Sequence, residues 1–275
     1  MAMVINTNTA AINAQRNLSR TSSSLSTSMA RLSSGMRITA AKDDAAGLAI
    51  SEKMKAQIRG LGQAERNAND GISLVQTAEG AMDEMSGMLI RMRELAVQAA
   101  SGTTDSDQKG FLNNEFEQLT TEIDRIANAT EFNGTSLLNG DTTVTLQIGM
   151  GTTAANDQMA IALKDVKASG SYLSVASDSI STATNAVTAI GNLDTAIKNL
   201  SEQRGKLGAF QNRLSSSVRN LATTRENLSA SNSRIRDVDV ASESVAMTRS
   251  QILMQAGTAV LAQANQLPSM ALSLI

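Results

Sequence analysis

At 275 residues the chain is long enough for one or two domains, yet it has no cysteine, histidine or tryptophan, one proline, one tyrosine and four phenylalanines. That composition excludes disulfides and thiolate chemistry, removes the commonest general base and metal ligand, and leaves Leu, Ile, Val, Met and Ala to fill a core, which suits helix-on-helix packing. A formal net charge of −2 offers no electrostatic footprint for nucleic acid, and the longest apolar runs fall far short of the ~20 residues a membrane helix needs. The opening residues carry no basic n-region and no long apolar h-region, so they do not read as a cleaved secretory signal, and on composition alone the chain reads as soluble and cytoplasmic. The charges are unevenly placed: no Asp, Glu, Lys or Arg precedes Arg16 and none follows Arg249. Ends without charge are suited to burial in an assembly, where an unpaired charge would be costly.

From Asn6 to Arg31 the pattern predicts an amphipathic helix with a Ser/Thr-rich outer face, because Ala11, Leu18, Leu25 and Leu32 recur every seven residues and Ile12 and Met29 widen the stripe. Its propensity is modest, so it should fold only against a partner. Gly35 is a stop signal, and Asp43 and Asp44 sit where the positive end of a new helix dipole would welcome them. Ala45 to Ala99 reads as one long helix on the track Met54, Leu61, Ala68, Val75, Met82, Leu89, Ala96. Its Met82, Met85, Met88, Met92 stripe is core filling rather than a metal site. Gly60, Gly62, Gly71, Gly80 and Gly87 would permit close backbone approach. Thr104 and Asp107 look like a capping box for a helix ending near Asn128, antiparallel to its predecessor across a short loop. Asn133-Gly134 and Asn139-Gly140 mark turns, and the alternations Thr142–Ile148 and Met159–Val166 predict a β-hairpin. Gly149-Met150-Gly151 in its loop is no phosphate cradle, since neither a helix nor a spaced Lys follows.

The longest element is a rod with Leu193, Leu200, Leu207, Leu214, Leu221, Leu228 and Ile235 on one seven-residue track. A second track carries Ile190, Ile197, Arg204, Gln211, Val218, Arg225 and Asn232. Leu193 to Ile235 spans about 63 Å at the α-helical rise, too long for one compact core, so long partner helices are required. Glu65 and Glu79 fall on the seam of the earlier long helix, and charge pairing with Arg204 and Arg225 is expected. Asp237 and Asp239 should end the rod and cap a last helix, Val240 to Gln266. Its stripes are Ala246, Leu253, Val260, Leu267 and Val245, Ile252, Ala259, and Pro268 stops it. The expected fold is mainly α: a long antiparallel coiled-coil helical bundle with a small β-hairpin region, plus a terminal two-helix coiled coil pairing the first helix with the last. The expected domains are 1–42 with connector, a rod domain 43–236 with the hairpin near 141–168, and 237–275.

Several blocks then resemble one family. Ile5-Asn6-Thr7-Asn8, Ala14-Gln15-Arg16-Asn17-Leu18, Arg31-Leu32-Ser33-Ser34-Gly35, Asp43-Asp44-Ala45-Ala46-Gly47-Leu48-Ala49-Ile50 and Arg66-Asn67-Ala68-Asn69-Asp70-Gly71-Ile72-Ser73 are similar to the N-terminal region of bacterial flagellin, and Phe132-Asn133-Gly134 and Leu137-Leu138 continue it. Leu207-Gly208-Ala209-Phe210-Gln211-Asn212-Arg213-Leu214 and Leu261-Ala262-Gln263-Ala264-Asn265-Gln266 resemble its C-terminal region. The resemblance covers nearly the whole chain in order. It implies a self-assembling structural subunit of the flagellar filament, extracellular and exported by the flagellar type III apparatus without a cleaved signal peptide. The implied partners are further copies of itself, an export chaperone, filament cap and hook-filament junction proteins. No cofactor, nucleic acid or membrane insertion is implied. The short middle, about Asp141 to Gly170, departs from family members with large outer domains and predicts a thin, smooth filament. Assembly is expected to bury Leu18, Leu25, Leu32, Val245, Ile252, Leu253, Val260 and Leu267. The family's innate-immune patch, recognised by a Toll-like receptor, resembles Arg91-Met92-Arg93-Glu94-Leu95-Ala96-Val97, with Arg91, Leu95 and Glu115 as contacts. Two other classes compete: a flagellin-like hook-filament junction adaptor, and a carboxylate hydrolase using Asp43, Asp44 or Glu residues. For the latter, nothing else in the chain supplies the chemistry.

Overall fold

The computed structural model describes residues 7–272, with side chains described through 266. The chain packs into two units: the described parts of Met1–Ala56 with Glu226–Ile275, and Gln57–Arg225. Both divisions fall inside long helices.

In the first unit, helix α1 (Thr9–Ser34) is capped at Asn8, whose side chain accepts the Ala11 N–H at 3.0 Å, and it ends at Gly35 in the left-handed conformation (φ 69°). It lies antiparallel to the last helix, α6 (Val240–Leu272). The Asn8 amide donates to the Ala264 carbonyl at 2.7 Å at one end, and Arg31 meets Glu243 at 3.7 Å at the other. α6 does not stop at Pro268. It continues to Leu272, because a proline removes only its own N–H and kinks rather than ends a helix whose neighbouring turns still bond. Between helices, the two connectors clasp. The Arg37 N–H donates to the Arg236 carbonyl at 2.6 Å, and the Val238 N–H to the Gly35 carbonyl at 3.0 Å, around a bridge between Met36 and Asp237. The Asp43 carboxylate accepts the Thr39 hydroxyl and the Thr39 and Ala40 N–H groups at 2.9–3.1 Å. Asp44 accepts the Gly47 N–H at 2.7 Å, so it caps helix α2 (Ala45–Ala100). Asp239 accepts the Ala241 and Ser242 N–H groups and does the same for α6.

In the second unit one buried track of α2 runs Leu61, Ala64, Ala68, Gly71, Val75, Ala78, Met82, Met85, Leu89, Met92, Ala96, Ala99 in alternating threes and fours, with Gly62, Leu74 and Leu95 buried beside it. Helix α5 (Ala183–Arg236) answers with Ala186, Ala189, Leu193, Ala196, Leu200, Gln203, Leu207, Leu214 and Leu221. Large residues on one track and small ones on the other let the two axes approach closely. The antiparallel register is written in three ion pairs, Arg93–Asp194 at 2.6 Å, Arg204–Asp83 at 2.9 Å and Arg225–Glu65 at 2.6 Å. The expected partner Glu79 is therefore replaced by Asp83, one helical turn further along α2.

Helix α3 (Ser106–Ala129) buries Phe116 and Ile123 in the same core. Its capping box is formed by Asp105 and Gln108, one residue beyond the expected Thr104. The strands β1 (Glu131–Phe132) and β2 (Thr135–Ser136) turn through Asn133 and Gly134, both at positive φ. The predicted hairpin is present as β3 (Thr142–Gln147) and β4 (Gln158–Leu163), antiparallel, with Val144 opposite Ile161. Its loop includes a one-turn helix, α4 (Ala154–Asp157), that the alternation did not reveal. Two side-chain amides fasten the hairpin to the rods: Asn67 donates to the Gln147 carbonyl and Gln203 to the Ala162 carbonyl, both at 2.9 Å. Of the five α2 glycines named above, Gly71 alone is demanded by packing at contact distance, since a β-carbon there would overlap the Leu146 side chain. Gly80 and Gly87 face open space.

Candidate functional site

The feature that stands out is an apolar surface left uncovered on α6. The face of α6 turned toward α1 is Met247, Ser250, Met254, Gly257, Leu261 and Ala264, again spaced in threes and fours. The α6 residues expected to be buried by assembly are exposed here. Val245 is 62% exposed, Ile252 60%, Leu253 52% and Val260 58%. Both faces repeat in threes and fours, so period alone does not tell them apart; the inner seam is built of small residues and methionines. On α1, Leu18, Leu25 and Leu32 are half-buried in the seam beside buried Ser28. The side chain of Leu267 lies outside the described residues. Where Gly257 approaches Leu18, a cleft of about 250 Å³ opens between the helices, lined by Ala14, Asn17, Leu18 and Thr21 on α1 and by Leu253, Ala256 and Val260 on α6. A second groove of about 500 Å³ runs along Val245, Thr248, Ile252 and Leu253. Soluble monomers rarely leave such contiguous apolar faces bare.

The rod residues divide by unit. Leu193, Leu200, Leu207, Leu214 and Leu221 are buried in the second unit, whereas Leu228 and Ile235 are half-buried in the first. The second predicted track, Ile190 to Arg225, is half-buried rather than core. The buried partner positions include Gln203, 1% exposed, which the polar side chain disguised in the sequence. Arg91 and Glu115 meet at 2.9 Å on exposed faces of α2 and α3, and Glu94 adds a second bond at 3.1 Å. Those hydrogen bonds hold the Arg91 guanidinium more firmly protonated than an isolated one. Leu95 is not on this surface. It is 1% exposed, because it sits beside Met92, Ala96 and Ala99 on the inner face of α2. Among the described residues no cluster of three or more acidic side chains with metal-binding geometry occurs, and no helix is long and apolar enough to cross a membrane.

Paired antiparallel helices, a solid second unit and a bare apolar flank define a structural subunit whose surface is completed by other copies, rather than a protein organised around a pocket. The comparisons agree. Residues 5–143 match the bacterial flagellin N-terminal helical region, and residues 190–275 match the bacterial flagellin C-terminal helical region. A flagellin of Halalkalibacterium halodurans is 50% identical over 99% of this chain and 100% of its own length, and one of Xenorhabdus nematophila is 43% identical over 100% of both. The crystal structure of Bacillus cereus flagellin, 34% identical, superposes with a TM-score of 0.50 over 57% of this chain and 88% of that one. A putative flagellar hook-associated protein from Vibrio parahaemolyticus shares the fold at a TM-score of 0.58 over 71% of this chain and all of its own, at 12% identity. The chain belongs to the bacterial flagellin family, and its role is that of a structural subunit of the flagellar filament.

Proposed function

We propose that the subunit polymerises by covering the terminal helix pair. Leu18, Leu25 and Leu32 hold α1 on α6, and Val245, Ile252, Leu253 and Val260, with Leu267, are buried by neighbouring copies. The observation that carries this reading is the row of α6 side chains 52–62% exposed in a segment with no charge after Arg249. Each side chain contributes roughly 1.5–3 kcal/mol when fully buried, so a row of them offsets the entropy of ordering and associating the ends. In this reading residues 1–42 and 237–275 form the inner coiled-coil layer, and 43–236 form the surrounding rod layer, with the hairpin near 141–168.

Family membership supports a reading of the remaining partners. The chain is exported by the flagellar type III apparatus without a cleaved signal, is held by an export chaperone, and meets cap and hook-filament junction proteins at the ends of the filament. A host Toll-like receptor would recognise the monomer through Arg91 and Glu115; Leu95, being buried, would act by holding that part of α2 in place. Catalysis has no part in this reading.

Electron microscopy of the purified chain after addition of a polymerising salt tests it, beside a version trimmed to about 43–235. Long uniform filaments from the intact chain and none from the trimmed one are expected. Absence of filaments from the intact chain would overturn the proposed mode of assembly.

A further inference from the structure

A filament grows only if the surface that is covered on one subunit differs from the surface that covers it. An apolar flank meeting its own copy across a two-fold axis closes into a dimer and stops. The α6 flank therefore needs a different complement, and the first unit narrows the choice. Among the described residues, its large exposed apolar side chains away from α6 are Ile12 and Met29 on α1, at 49% and 53%, and Ile50 on α2.

At 3.6 residues per turn, Ile12, Gln15, Ser19, Ser22, Ser26 and Met29 share one flank of α1. All six are exposed. The cleft at Leu18 is lined from the other flank, by Ala14, Asn17 and Thr21. The helix pair is thus two-sided. One side presents the cleft and the apolar flank of α6, from Leu253 and Val260 round to Val245 and Ile252. The other presents Ile12 and Met29 at the ends of a shallow strip of small serines.

The two surfaces match in length and charge. Ile12 to Met29 is 17 residues, about 25 Å, and Val245 to Val260 is 15 residues, about 22 Å. Arg16 and Arg20 lie off the serine strip, Arg31 is turned toward Glu243 of α6, and the α6 flank carries only Arg249. A row of branched side chains and a shallow uncharged strip of serines have the form of ridge and groove.

We propose that these are the two halves of one heterologous contact: the Val245–Ile252–Leu253–Val260 flank of α6 docks on the Ile12–Met29 flank of α1 in a second copy of this chain. The inference rests on the self-assembly reading above and adds which face meets which.

The absence of cysteine in the chain makes the test clean. Full-length single variants Ile12→Cys and Met29→Cys on α1, and Val245→Cys, Ile252→Cys and Val260→Cys on α6, are polymerised alone or as equimolar α1/α6 mixtures. They are then mildly oxidised and resolved by non-reducing electrophoresis. Disulfide-linked dimers are expected in filaments of mixed α1 and α6 variants and not in filaments of either kind alone. Filaments that form from the mixtures with no α1–α6 link in any combination would overturn the contact, as would self-linking of an α6 variant, which indicates a two-fold contact. Using five single sites keeps the result independent of any one variant that fails to polymerise. Failure of the unmodified chain to polymerise would instead reject the self-assembly mode on which the contact rests.

Discussion

Replacing Leu253 by alanine separates the two kinds of apolar surface in this subunit. Leu253 is 52% exposed, whereas Leu214 in the second unit is fully buried. Full burial of a leucine side chain is worth roughly 1.5–3 kcal/mol, so covering the exposed half of Leu253 on assembly contributes about 0.8–1.5 kcal/mol. One factor of ten in an equilibrium corresponds to about 1.4 kcal/mol, so Leu253→Ala should raise the critical concentration for polymerisation roughly four- to tenfold. In the monomer the same change removes only the half already packed, about 1 kcal/mol, while Leu214→Ala creates a cavity and costs ~2–5 kcal/mol. Critical concentration is read from the supernatant after filaments are pelleted, and monomer stability from urea unfolding followed by circular dichroism. If Leu253→Ala destabilises the monomer as much as Leu214→Ala and leaves the critical concentration unchanged, Leu253 is core and the assembly surface is misplaced.

Three further outcomes are expected. Gly71→Ala places a β-carbon on Leu146 and should cost ~1–3 kcal/mol by overpacking, with most of the loss recovered in the double variant Gly71→Ala/Leu146→Ala; additive losses in urea unfolding would count against the contact. The Asp43 carboxyl is held below its ordinary value by the Thr39 hydroxyl and the Ala40 and Thr39 N–H groups. Its contribution to the turn before α2 is therefore complete above the unfolded value near 3.8 and is lost as pH falls through the lower folded value. The protection of the Thr39 and Ala40 amides, taken as intrinsic over observed exchange rate at each pH, should fall over that acid range in the native chain, and Asp43→Ala should lack it already at neutral pH; equal protection in the two proteins would refute the assignment. In the receptor reading proposed above, Arg91→Ala should abolish receptor signalling by the monomer, and it should leave helix content intact because the side chain is exposed and its ion pairs are with Glu94 and Glu115. Unchanged signalling would remove Arg91 from the contact.

The long helices, the hairpin and the pairing of first helix with last were legible because period and length suffice to define them. The caps at Asp44 and Asp239 and the stop at Gly35 were legible because a short polar side chain, or none, does one local job, whereas the cap at Asn8 was not, since the stripe was read as starting at Asn6. Partner choice was less so. Arg204 could reach either acidic residue one turn apart, and its partner in the structure is Asp83. Gln203 was invisible as a core residue because its role is to donate to the Ala162 carbonyl of a hairpin 41 positions earlier, which no local pattern announces. Leu95 shows the reverse error. A motif resemblance placed it on the surface, whereas the alternation through Met92, Ala96 and Ala99 places it inside.

Period alone does not set the phase of α6. Heptad reading assumes that the most apolar stripe faces the nearest helix of the same chain, and for α2 and α5 that assumption holds. For α6 the nearest helix is met by Ser250, Gly257 and Ala264 between methionines, and the branched residues point away. Both arrangements have one physical cause. Small side chains bring α1 and α6 close enough for Leu18 to touch Gly257, which makes a thin two-helix pair with little core of its own. Such a pair gains most of its stability from what packs against it, so the larger side chains belong on the outside. A helix in an uncharged terminal segment whose best apolar stripe is unused within its own chain is thereby marked as an assembly element. The same reasoning predicts that moving the branched residues inward, as in Gly257→Leu, would wedge the pair open at Leu18 and weaken polymerisation rather than strengthen the monomer.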